Sequence, residues 1–131
     1  MTAKLHRDDR MFELAKQSNQ KEYQQALLMR WFQEQLVPGQ SHYEHHEVVA
    51  MIERYLHERE QEVQALEAEK GKSATAIGLR SRLDTNRGEF KSQGGFVAPD
   101  LTRADVVHRL SEWQGELKFL SAIATKGFRQ K

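Results

Sequence analysis

Apolar residues return at three- and four-residue steps along most of the chain, the periodicity of helices that each bury one face. Phe12, Ala15, Tyr23, Leu27, Leu28, Trp31 and Phe32 predict a first helix from about Asp9 to Leu36, with a bend at Ser18-Asn19. Val49, Ile52, Leu56, Val63 and Leu66 predict a second helix, starting after Ser41 and ended near Lys70 by Gly71. Between the two, Pro38 cannot continue a helix, and Ser41 with Glu44 three residues on has capping-box spacing. The expected result is an αα-hairpin turned about residues 36–40. Ser73 is placed to cap a third helix carrying Ala76, Leu79, Leu83 and Phe90, which Gly94-Gly95 ends. Phe96 to Leu101 reads as a short extended segment. A last helix is predicted from Thr102, with Asp105 as capping partner and Val106, Leu110, Trp113, Leu117 and Leu120 as its stripe.

No run alternates apolar and polar residues long enough for a convincing sheet, so the predicted class is all-α with about four helices. In that reading the hairpin packs with a third, basic helix and a C-terminal amphipathic helix. Trp31, Phe32, Leu36, Ile52, Leu56, Phe90, Trp113 and Leu117 are its expected core. A chain of 131 residues supports one core, which divides it into a flexible arm (1–10), a single helical domain (11–120) and a basic tail (121–131). The tail is expected to be mobile or ordered by a partner.

Composition narrows the chemistry. The absence of cysteine removes disulfides, thiol nucleophiles and Cys-type metal sites, and points to a reducing compartment. No apolar run approaches the roughly 20 residues that span a bilayer, and the N-terminus lacks a secretory h-region, so no membrane partner is expected. The formal charge is only +1, yet it is unevenly spread. Residues 44–69 hold eight acids against Arg54 and Arg59, whereas residues 70–91 hold six bases against Asp84 and Glu89. After Glu116 come Lys118, Lys126, Arg129 and Lys131 with no acid.

His42, His45 and His46 are the densest potential metal ligands, and His46-Glu47 begins a zincin-like motif, but Ala50 stands where its second histidine must be. No metal is expected. The chain also lacks a Gly-x-Ser-x-Gly elbow, a phosphate-cradling glycine loop and a dinucleotide fingerprint, so no catalytic residue, cofactor or small-molecule substrate is assigned. Arg80, Arg87 and Lys91 lie at seven- and four-residue steps off the apolar stripe and define a basic ridge. With Arg82, and with Lys126, Arg129 and Lys131 in the tail, they are the candidate RNA-binding groups. A solvated charged face is the alternative, and it leaves open a helical protein–protein adaptor that binds no nucleic acid. Trp31 and Trp113 sit on apolar stripes, which favours packing over base stacking.

Several of these residues also carry a resemblance. Trp31-Phe32-Gln33 with Leu36 and Pro38, then Tyr43, Ile52-Glu53-Arg54-Tyr55-Leu56, Phe90, Pro99-Asp100, Glu112-Trp113 and Leu117-Lys118 occur in order. This series resembles the translation machinery-associated protein 16 family of eukaryotic large-subunit assembly factors, over roughly residues 24–120. The resemblance implies a non-enzymatic factor of the nucleus and nucleolus, and the chain on its own is expected to be a monomer. Its implied partners are precursor 60S particles, reached through rRNA and ribosomal proteins. That family typically begins with a longer, strongly basic N-terminal region, and here residues 1–10 are nearly charge-balanced.

Overall fold

The computed structural model describes residues 20–71 and 73–130. The arm at 1–10, Phe12, Ala15, the bend at Ser18-Asn19 and Lys131 lie outside them. Among the described residues four α-helices form: α1 (Gln20–Gln35), α2 (His45–Lys70), α3 (Ala74–Lys91) and α4 (Ala104–Glu112). A 3-10 helix at Leu117–Ala122 follows, and two short strands, β1 (Phe96–Pro99) and β2 (Thr125–Phe128), pair in an antiparallel sheet. The fold is therefore mostly helical, as expected, and the extended segment is β1. Its partner strand has no counterpart in the sequence reading.

The helices fall into two compact units. One comprises residues 20–43 and 99–125, the other residues 44–98 and 126–130. In the first, α1 packs on α4 and on the 3-10 helix. Ala26, Met29, Trp31 and Phe32 are its buried residues, with the Trp31 and Phe32 rings edge to face at 5.0 Å. Leu36 is half-buried at the end of this core. The turn after it is held by Tyr43, which is buried. The Tyr43 hydroxyl accepts the Val37 N–H at 2.7 Å, and its own N–H donates to the Leu101 carbonyl at 2.8 Å.

The stripe from Val106 to Leu120 does not lie on one helix. Val106, Val107 and Leu110 are buried on α4, but that helix ends at Trp113, and the chain then passes through Gly115 at φ +88°, a conformation costly to other residues. Leu117 and Leu120 belong to the separate 3-10 helix, where Leu117 is half-buried and Leu120 buried. The start differs too: Arg103 is the N-cap, Asp105 pairs with Arg103, and Thr102 instead donates to the Asp100 carboxylate. At the other end the Gln33 amide donates to the carbonyls of Leu110 at 2.8 Å and Trp113 at 2.5 Å, filling acceptors that a helix C-terminus leaves open. Trp113 is buried, and its indole N–H donates to the Glu116 carbonyl at 2.9 Å.

In the second unit α2 packs on α3, the next helix in the chain, so the hairpin within one unit is α2–α3. The expected pair, α1 and α2, falls in different units. Ser41 is not the cap of α2. Glu44 holds that place in a reciprocal capping box with Glu47, and Ser41 is exposed beside the His42 ring. Val48, Val49, Met51, Ile52, Leu56 and Val63 are buried along α2, while Leu66 is half-buried. Ala76, Leu83 and Phe90 are the buried residues of α3, at seven-residue steps, while Leu79 stays 40% exposed. Ser73 caps α3 as expected, accepting the Ala76 N–H at 3.2 Å.

The residues expected as a mobile tail are partly built into this unit. Phe128 is fully buried with its ring 5.2 Å from that of His45, and the Gln130 N–H donates to the Phe90 carbonyl at 2.8 Å. A Cβ on Gly127 would sit 1.9 Å from the Gly94 carbonyl oxygen, so only glycine lets the chain pass that close.

Two substitutions test these assignments. Trp113→Ala should cost about 3–5 kcal/mol in urea denaturation, from lost burial and a residual cavity. Glu44→Ala should cost about 1 kcal/mol while Ser41→Ala leaves the midpoint unchanged, the reverse of what the Ser41 spacing suggests.

Candidate nucleic-acid interface

Arg80 leaves α3 about two turns from its start and reaches the acidic side of α2. Its guanidinium forks onto Glu60 with N–O distances of 2.9 and 2.8 Å, and onto Glu67 at 2.9 and 3.3 Å. Two planar forks on one guanidinium are the strong geometry for such pairs. Arg87, two turns on, also contacts Glu60 at 3.1 Å. The Glu60 side chain retains only 14% of its exposure and Arg80 31%. Arg80's hydrogen bonds hold the Glu60 and Glu67 carboxyls below the usual glutamate range, with the charges of Arg80 and Arg87 adding at Glu60. The two carboxylates in turn raise Arg80.

The predicted ridge is thus real as an alignment, but its first two members face α2 and join the helices. The other candidates are placed differently. Arg82 and Lys91 are exposed on α3, and Lys126 and Arg129 are exposed on β2 and just after it. The Lys126 ammonium lies 5.7 Å from the centre of the Phe128 ring. Lys131 is outside the described residues.

An open groove of about 330 Å³ runs beside this corner, between Arg87 and Lys91 of α3 and Glu53 and His57 of α2. Leu56 and Phe90 line it with Gln130. Sequence reading missed His57 and Gln130, which lie more than 30 residues from Lys91 along the chain and carry no motif.

Elsewhere the chemistry is sparse. A larger groove in the first unit, about 540 Å³, is lined by residues 36–41 and by Ala104, Val107, His108 and Ser111. Ser111 donates to the His108 backbone carbonyl rather than to its ring, and the His108 ring contacts Glu112 at 3.0 Å, so the three form no nucleophilic relay. Among the described residues no three His, Asp or Glu groups converge on a metal-sized site. His42 and His45, two of the cluster, lie against Ser41 and Phe128 respectively.

Fold and surface together describe a small, mostly helical protein in which, among the described residues, some basic groups pair with the chain's own acids and others are exposed. The family model described as translation machinery-associated protein 16 matches residues 1–130, and the chain belongs to that family. A translation machinery-associated protein 16 from Danio rerio is 29% identical over 110 residues, covering 77% of this chain and 56% of that protein. One from Bos taurus is 25% identical over 134 residues, covering 94% of this chain and 64% of that protein. The chain therefore spans between half and two-thirds of the length of these curated relatives.

The pairing of Arg80 has a pH signature. Because Glu60 and Glu67 titrate lower in the folded protein, their contribution is present above the unfolded glutamate pKa of about 4.3 and is lost as pH falls through their folded values. Arg80→Gln should lower the melting temperature at neutral pH and leave a shallower fall in stability between roughly pH 5 and pH 3. Thermal melts followed by circular dichroism across that range check both effects.

Proposed function

We propose that this protein is a non-catalytic ribosome assembly factor that binds precursor large subunits in the nucleus and nucleolus through rRNA and ribosomal proteins. The observation that carries the reading is the family match along residues 1–130, since both named relatives are described as associated with the translation machinery. The surface supports it. Arg82, Lys91, Lys126 and Arg129 are exposed cations, suited to backbone phosphates, and several acids on the outer side of α2 are exposed to basic ribosomal proteins. Structured RNA is recognised largely through shape and phosphate placement, which needs no cofactor and no base-reading motif.

A second reading, a protein-only helical adaptor, is favoured by the pairing of Arg80 and Arg87 with acids of α2, which offsets part of the positive charge a free ridge would offer RNA. Co-sedimentation with precursor large subunits from nuclear extract separates the two. The assembly-factor reading predicts recovery in the precursor peak, falling steeply with salt and lost after ribonuclease treatment that strips exposed rRNA. Recovery unaffected by ribonuclease and only weakly salt-dependent would establish the adaptor instead, and absence from the particles would refute both.

A further inference from the structure

The groove beside the last turn of α3 is built from two matching helical turns. Glu53, Leu56 and His57 supply one wall from α2, and Arg87, Phe90 and Lys91 the other from α3, each set at the three- and four-residue steps that share a helix face. Leu56 and Phe90 are buried at its base, and the Gln130 N–H, donating to the Phe90 carbonyl, holds Gln130 at its edge. Arg87 is already committed to Glu60. The other polar side chains are not committed. Among the described residues, Glu53, His57, Lys91 and Gln130 have no side-chain hydrogen bond or ion pair, and the first three are exposed. The acids deeper in the α2–α3 seam are in the opposite condition, since Glu60 and Glu67 are both taken up by arginines.

An apolar base beneath a few convergent, unfilled polar groups is the ordinary form of a ligand site, and about 330 Å³ is the small end of that range. The mixture of groups restricts what fills it. A simple anion would satisfy Lys91 and be repelled by Glu53, and a basic side chain would do the reverse. A nucleotide offers a phosphate to Lys91, N–H donors on its base to Glu53, and a flat face to the His57 imidazole. The Gln130 amide can donate or accept at the base edge. Histidine is among the rings that hold unstacked RNA bases, and a base reaches such a ring only when it is splayed out of a double helix. A four-residue step along each wall, about 6 Å of helix, admits one base rather than a stacked run.

We infer that this groove receives one unpaired nucleotide of a structured RNA, with His57 stacking on its base, Lys91 holding its phosphate, and Glu53 and Gln130 meeting its edge. The inference rests on the rRNA-binding reading above and adds a base pocket to it.

The test is fluorescence anisotropy of the full chain with labelled RNA hairpins titrated at several salt concentrations. One hairpin carries a single bulged nucleotide in its stem, made with each of the four bases in turn; a second has that position abasic, and a third has a fully paired stem. Wild type should bind the best bulged hairpin about tenfold more tightly than the abasic or paired one. His57→Ala should abolish that preference and His57→Phe should retain it, because stacking needs a ring rather than a particular nitrogen. Lys91→Gln should weaken the bulged and abasic hairpins and reduce the salt slope by about one, with the melting temperature unchanged. Equal binding of bulged and abasic hairpins by wild type would overturn the base pocket and leave RNA binding in place. A preference for the bulge that survives His57→Ala would overturn its location in this groove. Displacement by poly-glutamate as effective as by unlabelled bulged hairpin would overturn RNA in favour of an acidic protein partner. No binding of any hairpin would remove the rRNA reading itself.

Discussion

The α2–α3 hairpin depends on one guanidinium. Apolar burial along Ile52, Leu56, Val63, Leu83 and Phe90 supplies most of the attraction between the helices, but it is non-directional and tolerates a helix sliding along its neighbour. Arg80 does not tolerate sliding. It must meet Glu60 and Glu67, which lie seven residues apart on one side of α2, and its planar fork accepts them in one orientation. The apolar seam therefore brings the helices together, and the ion cluster sets their register.

That arrangement shapes what is left for a partner. The acidic run on α2 and the basic run on α3 read as a polarised molecule when counted along the chain, but in space they partly neutralise each other: two arginines face two glutamates. Neutralising Arg80 would then test stability rather than binding, contrary to what a free ridge would predict. Exposed cations remain at the end of α3 and in the segment after β2, where Gly95 and Gly127 let the chain pass closely and buried Phe128 with the Gln130–Phe90 hydrogen bond anchors it.

Much of the framework was legible because its signals are local. Pro38, Gly39, Gly71 and the Ser73 cap bound the helices near where they end and begin, and the buried residues Trp31, Phe32, Ile52, Leu56, Phe90 and Trp113 follow from spacing alone. What was not legible depends on distant or competing groups. Ser41-x-x-Glu44 and Glu44-x-x-Glu47 are overlapping boxes, and general N-cap preference, which ranks serine high, points to Ser41 where the structure uses Glu44. The stripe from Val106 to Leu120 keeps helical spacing across a break set by the Gly115 backbone. β2 is four residues long, with a glycine inside it, too short for alternation to register. The acid partners of Arg80 lie 13 and 20 residues upstream, so no single-helix pattern could distinguish a ridge facing solvent from one facing a neighbour.

The most direct test of Arg80 as the register-setting contact is a double-mutant cycle on Glu60 and Arg80, read by urea denaturation at neutral pH. If the two side chains act as one unit, Arg80→Gln should destabilise the wild-type background more than it destabilises Glu60→Gln, giving a coupling free energy well outside error. Additive losses, or an Arg80→Gln variant as stable as wild type, would contradict it and return Arg80 to the solvent-facing ridge.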